Sequence, residues 1–206
     1  MSAGSDVTIV DSDSSDGHGH AATELDTASL VSVISSDDDD YMAPISEPLG
    51  MVDYWSARVP RFRNIWAEAS SDLSIVFDLS PTRIADDIAA QYTHSKQVVQ
   101  RCLDGGYIAQ FSIGVTHLPV YRFRNPHWGY AKRRYKSLVL LSVHDDAERI
   151  ANLEINLLKV FRKFNSRDEL VNPQGHALCR NRAPGGENAY GGVAPFFCYM
   201  AIKPTV

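Results

Sequence analysis

The sequence predicts a small α/β (α+β) domain: a mixed three-stranded sheet flanked by helices and preceded by a disordered acidic tail. Three observations predict it. Short apolar runs at 107–114 (YIAQFSIG), 136–143 (KSLVLLSV) and 196–202 (FFCYMAI) have the length and the branched or aromatic content of strands. Between the second and third, Ile150, Leu153, Leu157, Leu158, Phe161 and Phe164 recur at the 3.6-residue spacing of an amphipathic helix. Residues 1–50 carry 11 Asp and Glu, no Lys or Arg, and no aromatic residue before Tyr41. Such a composition cannot bury enough apolar surface to offset the entropy of ordering.

Taken in order, residues 1–50 form the tail, 51–104 a helical extension that packs on the domain, and 105–206 the domain itself. Trp55, Phe62, Trp66, Ile75, Val76 and Phe77 give the extension its packing surface. Ser80-Pro81 opens a predicted helix over 82–102, with Ser80 as N-cap and Pro81 in the first turn. Asp104-Gly105-Gly106 is a turn, and 107–114 the first strand. Asp145 with Glu148 three residues later resembles a capping box at the start of the 145–164 helix. Residues 165–192, with Gly, Pro and Asn throughout, read as loop before the closing strand.

Charge is unevenly spread. The formal net of −5 over 206 residues hides a C-terminal part, 51–206, in which 14 acidic residues face 20 basic ones, a net of +6. A basic domain behind an acidic leader points to a polyanionic partner. Three cysteines at irregular spacing make no disulfide framework and fit a reducing compartment. With no signal-peptide pattern and no apolar run near the ~20 residues that span a bilayer, a nuclear protein is expected, cytoplasmic as the alternative, and no membrane partner.

Glu154 falls on or beside the apolar stripe of its helix, four residues after Ile150 and three before Leu157. A carboxylate in an apolar setting needs a cation, an Arg or a hydrogen-bond donor, or it is neutralised. A boundary Glu turned to solvent and a metal ligand both satisfy that pattern. From Arg122 to Lys136 there are six basic residues and no acidic one: Arg122, Arg124, Lys132, Arg133, Arg134 and Lys136. Tyr121, Phe123, Trp128, Tyr130 and Tyr135 are interleaved among them. Guanidinium groups for phosphates and aromatic faces for bases suit DNA, with RNA the alternative. A solvated loop with a few anchoring aromatics is the plainer reading. His176 and Cys179 have an H-x₂-C spacing but no second pair within reach, so they read as loop and packing residues.

Three separated pieces follow one another along the chain: Ser112-Ile113-Gly114-Val115-Thr116 followed by Pro119 and Arg122; Glu154 on its helix; and Cys179-Arg180-Asn181 followed by Gly185-Gly186-Glu187. Over residues 105–202 this set resembles the GIY-YIG nuclease superfamily. The resemblance implies an endonuclease using one Mg²⁺ or Mn²⁺. Glu154 would hold the metal, Arg122 would clamp the scissile phosphate through two aligned donors, and Asn181 would support the site, with Asn165 its rival. The family's first Gly-Ile-Tyr strand has no counterpart here; its place falls near Cys102, inside a predicted helix. Ser112 stands where the second motif has its tyrosine. Tyr107 lies an odd number of residues away, on the opposite strand face. Tyr130, Tyr135 or His127 would then enter from the following loop, His127 as proton acceptor. All of this requires Glu154 and Arg122 to face one pocket. A non-catalytic relative, serving as a nucleic-acid-binding or SUMO-linked adaptor, is the alternative.

In the tail, 7–10 (VTIV) and 30–34 (LVSVI) are each trailed by Asp and Ser. Val7, Ile9 and Val10, and Val31, Val33 and Ile34, resemble SUMO-interacting motifs, which add a strand to a partner's sheet edge while flanking acids meet a basic rim. The 11 acids could instead cover the 122–136 run of the same chain.

Overall fold

The structure is a computed structural model that describes residues 48–162, 169–171, 177–181 and 192–205. The tail segments around Val7 and Val31, Asn165, His176 and Gly185-Gly186-Glu187 lie outside the described residues. The described elements run α1 (Pro48–Arg58), α2 (Phe62–Ser70), β1 (Ile75–Phe77), α3 (Ile88–Asp104), β2 (Ile108–Thr116), α4 (Pro119–Arg124), β3 (Ser137–His144), α5 (Ala147–Phe161) and β4 (Phe196–Pro204). Short 3-10 turns occupy Thr82–Ile84 and Ala131–Arg133.

The expected α/β class is what the structure has, with four strands in the order β1-β3-β4-β2. β1 runs parallel to β3, and β4 runs antiparallel to both β3 and β2. The additional strand is β1, only three residues long, which lies within the segment read as a helical extension. Residues 51–104 are therefore built into the sheet as well as packed on it.

Helices cover both faces, and strand alternation sorts the side chains between two cores. Leu138, Leu140, Val143, Phe197, Tyr199 and Ala201 point into a core with Trp55, Phe62, Ile65 and Phe123 of α1, α2 and α4. Phe111, Ile113, Val115, Val139, Leu141, Cys198 and Met200 point the other way, against Val98 and Val99 of α3 and Ile150, Leu153, Leu157, Leu158 and Phe161 of α5. An extra residue in β3, between Leu140 and Ser142, resets its alternation.

Two helix starts differ from expectation. α3 begins at Ile88, not near Thr82, because Asp87 takes an extended conformation and its carboxylate accepts the Ala90 N–H. Its buried face is polar at first: Gln91 donates to the carbonyl oxygens of Ile84 and Ala85 and accepts from Ser142. α5 is capped by Asp146, one residue after the expected Asp145; its carboxylate accepts the N–H groups of Glu148 and Arg149.

Candidate functional site

Opposite Gly114 on β2 stands Tyr199 on β4. A Cβ at residue 114 would lie 2.5 Å from the Tyr199 hydroxyl and 2.6 Å from the carbon bearing it, so the bare glycine is what lets the ring lie there. Arg122 Nε donates to the Tyr199 hydroxyl at 2.9 Å, and the Tyr130 hydroxyl lies 3.1 Å from the same oxygen. The Tyr130 ring is flanked by two guanidinium groups, Arg122 at 5.4 Å and Arg133 at 4.4 Å from its centroid. Beside this cluster, Ser112 Oγ is 3.5 Å from the Tyr135 hydroxyl. Ser112, Gly114, Arg122, Tyr130, Tyr135 and Tyr199 thus gather on one face of the sheet.

The electrostatics of the cluster favour an intact cation. Burial works against the Arg122 charge, but the hydroxyls of Tyr199 and Tyr130 outweigh it and hold the guanidinium pKa above its ordinary value. Burial pushes the Tyr199 phenol well up, with Tyr130 adding to it; Arg122 pulls the other way without prevailing. Tyr135 is also raised by burial. Phenols that resist ionisation serve as hydrogen-bond donors rather than bases near neutral pH. Among the described residues Arg122 has no carboxylate partner; its guanidinium donates to the hydroxyls of Tyr199 and Tyr130.

The other basic residues of the run divide into two kinds. Arg124 binds Asp72 through two bonds of 2.6 and 2.7 Å and also donates to Ser74, which ties α4 to the segment before β1. The pairing holds the Asp72 carboxyl at a pKa of about 2. Arg124 therefore serves as a tether and is not a spare phosphate contact. Lys132, Arg133, Arg134 and Lys136 are exposed. Arg134 turns the chain into β3 with a left-handed backbone (φ 65°). Tyr130, expected to contact nucleic acid, is buried and acts as an internal post. His127 is exposed in a turn whose backbone is held by Asn125, and no described hydrogen bond or ring contact joins its imidazole to Arg122, Ser112 or Tyr199.

Asn181 lies close to the cluster in sequence register but points elsewhere. Its side-chain oxygen accepts the Ile113 N–H at 2.9 Å and its nitrogen donates to the Ile113 carbonyl at 2.7 Å. Together with bonds between Phe111 and both Leu178 and Arg180, this continues a strand-like pairing along the outer edge of β2. Asn181 closes a sheet edge.

Glu154 is 8% exposed, on the face of α5 that buries Leu153, Leu157 and Leu158. After burial itself, its negative charge is the next cause raising the Cys198 thiol, and Cys198 faces α5 while its neighbour Tyr199 faces Arg122. The sheet therefore stands between Glu154 and Arg122. The expectation that the two share a pocket is not met, because β4 alternates and their elements cover opposite faces. An Mg²⁺ or Mn²⁺ ion on Glu154 would therefore be across the sheet from a phosphate on Arg122, so these two residues do not form the joint site that the resemblance implies.

Two residues escaped the sequence reading. Tyr199 went unremarked within an apolar strand, although a lone phenol in FFCYMAI needs a partner for its hydroxyl. Asp72, the partner of Arg124, lies 52 residues away, and no local pattern joins them. Compared with protein-family models, curated proteins and solved structures, the chain matches none. No helix among the described residues is long and apolar enough to cross a membrane.

Proposed function

We propose that this is a DNA-binding domain, with RNA as the alternative ligand, that grips phosphates through Arg122 and its neighbours and does not cut them by means of Glu154. The observation that carries this reading is the half-buried guanidinium of Arg122, oriented by the Tyr199 hydroxyl, stacked on aromatic rings and left without a carboxylate partner among the described residues. Two parallel donors of a guanidinium match two phosphate oxygens. Arg133 shares the Tyr130 ring with Arg122, and Lys132, Arg134 and Lys136 are exposed in the same basic run. The separation of Glu154 from this face supports the binding function over the hydrolytic one, as does the raised phenol of Tyr199, a poor activator of water.

Anisotropy titrations of a labelled 20-mer across salt concentrations test the reading. With roughly four phosphates neutralised, the slope of log affinity against log salt is expected near −3 to −4, about a hundredfold loss between 50 and 200 mM salt. Arg122→Ala should weaken binding and flatten that slope by about 1. A flat salt response would sink the proposal. In a plasmid-nicking assay with Mg²⁺, the parent and Glu154→Gln are expected to behave alike. Metal-dependent nicking abolished in Glu154→Gln, with binding retained, would restore the endonuclease.

A further inference from the structure

Tyr121 and Trp128 are the exposed aromatics of the basic run, at 55% and 43% of their surface, while Phe123, Tyr130 and Tyr135 are buried. Their rings meet edge to face, with centroids 5.5 Å apart at 80°. Trp128 also lies against the Arg122 guanidinium, 5.2 Å from ring centroid to carbon. Leaving two large rings in water forgoes the burial that their neighbours enjoy. The chain nevertheless fixes Trp128 in place. Buried Asn125 accepts the N–H groups of both His127 and Trp128 through its side-chain oxygen, and its carbonyl accepts the Gly129 N–H. A side chain at Gly129 would collide with the Asn125 backbone at 2.5 Å, so the tight turn that presents the indole depends on that glycine.

We infer that the Tyr121–Trp128 pair is a stacking platform for unpaired bases, so that the site selects single-stranded over duplex nucleic acid. This rests on the nucleic-acid reading and narrows it. The ring that stacks on Arg122 adjoins the same guanidinium that would hold a phosphate, and a nucleotide's base hangs from its phosphate through one sugar. A strand gripped at Arg122 thereby brings its base to the exposed indole. In a duplex the base faces are already stacked on their neighbours and offer nothing to the platform. The charge of the run selects the occupant: Arg122 lies against Trp128, Arg133 lies over the Tyr130 ring that Arg122 also flanks, and no acidic residue falls between 122 and 136 in the sequence. A positively charged rim around aromatic rings suits a polyanion with π-faces better than an apolar protein surface.

The test compares a mixed-sequence 20-mer single strand with its blunt duplex at one salt concentration. The parent is expected to bind the single strand at least tenfold more tightly. Trp128→Ala and Tyr121→Ala should each lower single-strand affinity about tenfold or more, and Tyr121→Ala, which leaves the stacking of Arg122 on Trp128 untouched, should keep duplex affinity within about twofold. Tyr121→Ala is the control for folding, because that ring is exposed and removing it leaves the Arg122–Trp128 contact in place. Indole fluorescence supplies a second readout: quenching on binding the single strand should vanish in Trp128→Phe. Equal affinity for both forms, with neither alanine variant altering it, would overturn the platform while leaving phosphate binding intact. Failure to bind either form would overturn both.

Discussion

Gly114 and Tyr199 illustrate how one missing side chain admits another residue's chemistry. With no Cβ at 114, the Tyr199 ring crosses β2 and its hydroxyl reaches Arg122 and Tyr130. Gly114→Ala places a methyl against the fully buried Tyr199 ring, which must shift to admit it, and overpacking of this kind costs about 1–3 kcal/mol. The variant should therefore lower the urea midpoint and, because the displaced phenol no longer orients Arg122, weaken DNA binding as well. Normal stability with normal binding would show that the ring repacks freely. In the sequence Gly114 is conspicuous as part of an Ile-Gly pair, yet what the glycine accommodates comes from Tyr199, 85 residues later, in a segment read only as the closing strand. Glu154 shows the reverse. Its place on the buried side of α5 was legible from spacing alone, whereas which face of the sheet α5 would cover was not, and that decides whether the carboxylate meets Arg122.

The elements themselves were legible where periodicity is strong. α5, β3 and β4 fall within a few residues of their expected bounds because each has an uninterrupted apolar pattern. The start of α3 and the existence of β1 were not, since a nearby cap at Asp87 outcompetes Ser80-Pro81 and three residues are too few for a pattern. At the junction of β3 and α5, His144 is buried and its Nδ1 accepts the Asp146 N–H at 2.9 Å, which positions the residue that caps α5. Burial lowers the His144 pKa below its ordinary 6.5, with Arg149 and Arg58 acting the same way; Asp145, 2.8 Å from Nδ1, and Asp146 oppose them without winning. A histidine depressed in the folded state takes its proton first in the unfolded chain, so stability falls as pH drops below about 6.5 and levels off beneath the folded value. The urea midpoint should therefore rise between pH 5 and 7, and His144→Gln should flatten that rise; an unchanged pH profile in the variant would remove His144 as its source. Asp146→Ala, which deletes the cap itself, should cost about 1 kcal/mol at any pH where the carboxylate is ionised.

At the scale of the whole molecule the sheet acts as a partition, with the cationic aromatic cluster on the α4 side and Glu154 on the α5 side. Only the acidic leader is free of that geometric constraint in the argument from sequence, because its case rests on charge alone. Residues 1–50 carry a net of −11 and residues 51–206 a net of +6, so the two parts attract one another through water at low ionic strength. If the leader occupies the ground that DNA would take, it competes as a tethered polyanion whose effective concentration does not fall on dilution. Removing residues 1–44 should then tighten DNA binding several-fold at 50 mM salt. The gain should shrink toward nothing near physiological ionic strength, where the Debye length is about 8 Å. Adding the excised segment back as a separate peptide should restore little of the inhibition, since the loss of tethering removes its advantage. Identical affinities for full-length and truncated chains at low salt would mean that the leader's charge faces some other partner, and would direct attention to the 7–10 and 30–34 segments as strand donors.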